Sequence, residues 1–77
     1  MVQISKNNQI IFEGLPRAMS LNNDTYIQID FEDYIDVQQN DAVEIHYEGT
    51  IWKGEVISSL KVIIPEKIHT IVVKLTS

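Results

Sequence analysis

Glu44, His46 and Glu48 stand two residues apart in an alternating apolar and polar stretch, so on a strand all three project from one side. A carboxylate–imidazole–carboxylate row can hold a divalent metal weakly if a second element adds a ligand, and His69 is the residue available for that. Alternate groups on a straight strand lie about 6.6–6.8 Å apart, too far to chelate one ion unaided. The commoner role of such a row is a solvated stripe, and no resident metal or cofactor is expected. Asp30-Phe31-Glu32-Asp33-Tyr34-Ile35-Asp36 sets four carboxylates within seven residues. It lacks the glycine and the distal bidentate glutamate of a calcium loop. Crowded carboxylates can raise one another's pKa and act as acid and base, but no pocket is visible in the sequence to use them. His69 is in phase with Ile71, Val73 and Leu75, which reads as a core or rim histidine with one satisfied nitrogen rather than a general base. Ser20, Ser58 and Ser59 have no nucleophile-elbow context, and no glycine-rich phosphate loop occurs. The expectation is a protein that is not an enzyme.

The charge is unevenly distributed. Between Asp24 and Glu48 lie eight acidic residues and no Lys or Arg, while the whole chain carries a net charge of −5. Such a block is ordinarily a solvated face that keeps an Ile-rich protein soluble. It can also be a docking surface for a partner with a basic face, for which Asp30, Glu32, Asp33, Asp36, Glu44 and Glu48 are the candidates. In the sharpest form, carboxylates at Asp30, Glu32, Glu44 and Glu48 imitate a row of phosphates and make the chain an inhibitor of a nucleic-acid-binding protein. Direct nucleic-acid binding is not expected. Trp52, Tyr47, Tyr34 and Tyr26 could stack bases as in OB-type barrels, but the three tyrosines fall inside the acidic block.

The elements that must position these residues are strands. The chain has 13 Ile and 7 Val against 4 Leu and 2 Ala, and β-branched side chains favour pleated over helical backbone. Its 77 residues, none of them cysteine, make one domain that buries about 60–65% of its unfolded surface, with roughly 4,800 Å² exposed. Disulfides and thiolate zinc sites are excluded. No apolar run approaches a membrane span, and the first residues show no basic stretch leading into an apolar one, so a cytoplasmic protein is expected and Asn23-Asp24-Thr25 reads as a chance sequon.

Val2–Ser5, a turn at Lys6-Asn7-Asn8 and Gln9–Gly14 predict a hairpin, with Ile10 and Phe12 on one face. Leu15-Pro16 interrupts it. Arg17–Asp24 carries no β pattern, which predicts a loop or at most one short helical turn near residues 16–21. Thr25–Phe31, Tyr34–Val37, Val43–Tyr47 and Thr50–Ser58 read as strands, with a hairpin turn at Glu48-Gly49 and a bulge or close backbone approach at Gly54. Lys61–Ile64 reads as a short strand ended by Pro65, and Ile68–Leu75 as the last. About seven short strands in one small domain predict an all-β fold, a small antiparallel barrel or a compact sandwich. The run Asn40 to Ile45, then Glu48-Gly49, then Gly54-Glu55-Val56, resembles the hairpin shared by many SH3-like small barrels, which implies an SH3-like or OB-like fold and no particular function.

Both faces of Val62-Ile63-Ile64 and of Ile68–Val73 are apolar, whereas a half-solvated strand should alternate. One of those faces is therefore expected to meet another chain, and Tyr47, Trp52, Ile63, Ile68 and Val72 are the apolar and aromatic candidates. The expected function is a non-catalytic interaction or assembly module of adaptor or inhibitor type, a homo-oligomer or a partner of another protein, with no nucleic acid and no membrane. Such chains suit viral or mobile elements. A small-ligand-binding barrel with its mouth at Tyr47 and Trp52 is the remaining alternative.

Overall fold

A computed structural model describes residues 1–76 and is all-β, with no helix long and apolar enough to cross a membrane among those residues. Seven strands are formed: β1 (Val2–Lys6), β2 (Gln9–Gly14), β3 (Ala18–Asn22), β4 (Tyr26–Phe31), β5 (Ala42–Tyr47), β6 (Thr50–Val62) and β7 (Ile68–Leu75). They make one antiparallel sheet in the order β2-β1-β5-β6-β7-β4-β3. Connectivity forces the sheet to curl. β2 and β3 are its two outermost strands, yet only Leu15, Pro16 and Arg17 join them, a reach of at most about 15 Å. In a flat sheet of seven strands they would stand roughly 29 Å apart. The two do not pair, so the curled sheet is barrel-like without being closed.

β6 turns a corner of the curled sheet, as strands that serve two packed sheets do at a bulge or bend. β6 pairs with β5 through Thr50–Glu55 and with β7 from Gly54 onward, with a bulge between Val56 and Ser58. Gly14, the last residue of β2 before the short link to β3, has φ +149°, which favours glycine. Inside lie Val2, Ile4, Ile27, Ile29, Phe31, Val37, Val43, Ile45, Val56, Ile71 and Val73, all buried. Phe12 of β2 meets Phe31 of β4 edge-to-face at 4.7 Å, closing the halves on each other.

Both expected two-residue turns occur. Asn7 and Asn8 (φ 54° and 63°) and Glu48 and Gly49 (49° and 81°) have the paired positive φ values of turns whose twist suits a hairpin. Gly54 is the expected close approach: a Cβ there would lie 2.5 Å from the Lys74 carbonyl oxygen and 2.6 Å from Val73 Cγ1.

Four expectations are corrected. Residues 16–21 form no helical turn. Ala18–Asn22 is strand β3, because Met19 and Leu21 pair with Ile29 and Ile27 and tertiary pairing overrides the weak local pattern. Lys61 and Val62 belong to β6, which runs on through its bulge instead of stopping at Ser58. Tyr34–Val37 is not a strand, although Val37 is buried and Ile35 half-buried. Ile10 and Phe12 do not share a face. A bulge opposite Ile4 and Ser5 inserts Ile11, leaving Phe12 turned inward and Ile10 exposed.

Candidate functional site

The outer surface of the β6–β7 hairpin follows from its inner one. His69, Ile71 and Val73 are buried, so the pleat turns Ile68, Thr70 and Val72 outward. Pairing sets Val62 beside Ile68 and Leu60 beside Thr70 on that outer face. Leu60 is 58% exposed, and beyond the strand end Ile63 and Ile64 are 70% and 81% exposed. Charges of both signs border this end of the molecule. Arg17 pairs with Glu66, and Lys67 lies 3.6 Å from Asp33. Lys61 and Lys67 sit over the Tyr34 ring at 5.4 and 4.9 Å, and the Tyr34 hydroxyl donates to the Val62 carbonyl at 3.2 Å.

The other sequence candidates are dispersed. Asp30 is on the outer face of β4, where it accepts a hydrogen bond from Thr70 Oγ1 at 2.8 Å. Glu32, Asp33 and Asp36 are exposed on the segment between β4 and β5. Glu44 lies on β5 and Glu48 in the β5–β6 turn. Since β6 and β7 separate β5 from β4 in the sheet, Asp30 and Glu44 do not stand in one row. Asp36 and Asp33 already face Lys6 and Lys67 at 3.6 Å each. Tyr47 and Trp52 stack with ring centroids 6.4 Å apart and pack against the core, Trp52 on the stretch of β6 that pairs with β5 and not on the stretch that pairs with β7. Beside Tyr47 is only an open depression, lined among others by Gln3, Glu13 and His46. Glu44 Oε1 and His46 Nε2 are 2.6 Å apart, while His69 is in the core, so the three do not converge. Among the described residues no group of three His, Asp or Glu side chains could hold a metal ion.

The segment from Glu32 to Asp41 covers the side of β6 that β5 leaves unpaired. Asn40 N–H donates to Val56 O at 2.7 Å, and Val56 N–H donates to Asp41 O at 2.8 Å. The Asp41 carboxylate accepts the Gln38 N–H at 2.8 Å and the Lys6 ammonium at 3.3 Å. The amide first, then the cation, hold its pKa below the ordinary carboxylate value. A carboxylate whose folded pKa is depressed adds stability above its unfolded pKa of about 3.9, and that contribution is lost as pH falls through the folded value. Asp41→Asn should therefore be less stable than the parent at pH 7, with a smaller gap at pH 2.5. Urea midpoints at the two pH values check this.

Among the described residues His69 is the one buried polar side chain, and both its ring nitrogens are engaged. Nδ1 accepts the Ile35 N–H at 3.1 Å, Nε2 lies 2.8 Å from Ser59 Oγ, and Ser59 Oγ donates to the Val37 carbonyl at 3.2 Å. These three hydrogen bonds are satisfied together only if the ring is neutral with its proton on Nε2. Burial, reinforced by the Lys61 charge, pushes the His69 pKa down. Sequence phase places His69 inward correctly. Ser59 as its partner is not readable, because the bulge after Val56 changes the face on which Ser59 falls. Comparison with models of known families, with curated proteins and with solved structures finds no match to this chain.

Proposed function

We propose that the chain is a non-catalytic interaction module that self-associates through the outer face of the β6–β7 hairpin. The observation that carries this reading is the apolar end formed by Leu60, Ile63 and Ile64, exposed by 58%, 70% and 81%, beside outward Val62, Ile68 and Val72. The core is complete without any of these side chains. Contiguous exposed apolar surface on a small domain marks a contact site. The charges around it favour a second copy as the occupant. Arg17, Lys61 and Lys67 are matched by Glu32, Asp33 and Glu66 at the same end, a balance that suits the self-complementary contact of a two-fold dimer. Carboxylates without an ion-pair partner among the described residues, Glu32 and Glu48 among them, remain for steering a basic protein partner to the assembly. The reading takes the chain as a cytoplasmic adaptor or inhibitor.

Sedimentation velocity across a concentration series tests it. The parent chain should shift from monomer to dimer as concentration rises. An Ile63→Ser/Ile64→Ser double variant should weaken the dimer at least about 30-fold, the equivalent of roughly 2 kcal/mol. Both side chains are exposed, so the variant should fold like the parent. A parent that stays monomeric at every concentration removes the self-association.

A further inference from the structure

We propose that His69 and Ser59 form an acid-sensitive latch that holds the 32–41 segment against β6. The inference does not depend on the proposed function. The segment contains no strand, and its middle, from Ile35 to Val37, is attached to the β6–β7 half through the imidazole and Ser59. One ring nitrogen takes the Ile35 amide, and the other reaches the Val37 carbonyl through Ser59. Those two contacts bracket Asp36 and hold Val37, the segment's only buried residue, in the core.

Protonation changes one of these contacts from attraction to conflict. A proton on Nδ1 would point at the Ile35 N–H, leaving two donors face to face with no acceptor between them. The surroundings offer the cation no compensation. From β6 the ring meets the Ser59 hydroxyl and the field of Lys61. From the segment it meets the edge of Tyr34 at 6.0 Å, and from β4 the uncharged ring of Phe31 at 6.3 Å. Lys67, before β7, adds a second cation over Tyr34. No carboxylate bonds to the imidazole. The remaining ties do not involve the imidazole: the Tyr34 hydroxyl to the Val62 carbonyl and Lys67 to Asp33 at the near end, Lys6 to Asp36 and Asp41, and the Val56 backbone pair at the far end. Acid should therefore loosen residues 34–38 first and uncover the edge of β6 at Ser59, next to the exposed Leu60.

The sign follows from linkage. A buried neutral histidine has a folded pKa below its unfolded value of about 6.5, so its contribution is complete above that value and is lost as pH falls through the folded pKa. Hydrogen exchange of the parent protein, corrected for the intrinsic pH dependence, tests the latch between pH 7.5 and 4.5. The amides of residues 34–38 should lose at least tenfold protection while those of β1 and β5 keep theirs. His69→Asn, which can present a carbonyl and an amide but cannot titrate, should show no such pH dependence. Protection at 34–38 that is unchanged with pH, or lost together with β1 and β5 in one global step, would overturn the proposal.

Discussion

Phe31→Ala is expected to cost about 3–5 kcal/mol of stability. The residue is 1% exposed and stands where the two halves of the curled sheet meet, with Phe12 from the opposite edge strand against its ring at 4.7 Å. β2 and β3 share no ladder, so side-chain packing rather than backbone pairing holds that closure. Truncation removes buried area and leaves a cavity between strands that the Leu15–Arg17 connection prevents from collapsing freely. A domain of this length has a total stability of roughly 4–12 kcal/mol, so the substitution should remove at least about a quarter of it. Urea titration followed by Trp52 fluorescence measures it, and a loss below about 1 kcal/mol would show that the halves are not locked at Phe31.

Gly54→Ala is expected to cost about 3 kcal/mol, near the upper end for overpacking, because the obstacle is backbone. The added methyl would sit 2.5 Å from the Lys74 carbonyl oxygen, and β7 cannot yield without breaking its ladders to β6 and β4. The melting temperature should fall by about 12–24 °C. Gly49→Ala is the internal control. A Cβ there meets nothing within 4 Å, so only the positive φ of 81° opposes it, at about 1–2 kcal/mol. If the two substitutions cost the same, the close approach of β6 to β7 is not as described.

What was legible in the sequence was period and turn chemistry. Ile27, Ile29 and Phe31 alternate cleanly, and β4 forms where they do. Asn7-Asn8 and Glu48-Gly49 turn the chain as their tolerance of positive φ suggests. Gly54, set between Trp52 and Val56, signalled backbone proximity. The errors arise where one residue is added to a strand or where a partner strand supplies the order. Ile11 and the bulge after Val56 each reverse the alternation beyond them, so the period puts Ile10 and Phe12 on one face that the fold divides, and it hides the role of Ser59. β3 has little local preference and is a strand because β4 lies beside it. Tyr34–Val37 alternates as a strand would, but its backbone is held by an imidazole, a serine and the β6 edge instead of a ladder.

The candidate surfaces divide in the same way. The two-sided apolar character of β7 pointed to the outer hairpin face, and Ile68 and Val72 do lie on it. Contiguity in sequence gave no guide to the acidic residues. The fold sets Asp30 and Glu32 at β4 apart from Glu44 and Glu48 at β5, with β6 and β7 between them, and it pairs Asp33 and Asp36 with lysines from outside the block.

Intermolecular NOEs test the self-association most directly. In a sample mixing 13C-methyl-labelled and unlabelled copies, at a concentration where sedimentation finds dimer, filtered spectra should show contacts from the methyls of Leu60, Ile64, Ile68 and Val72 to the unlabelled copy. Contacts confined to the β2 or β3 edge, or no intermolecular contact from the β6–β7 hairpin, would contradict the assignment of that face.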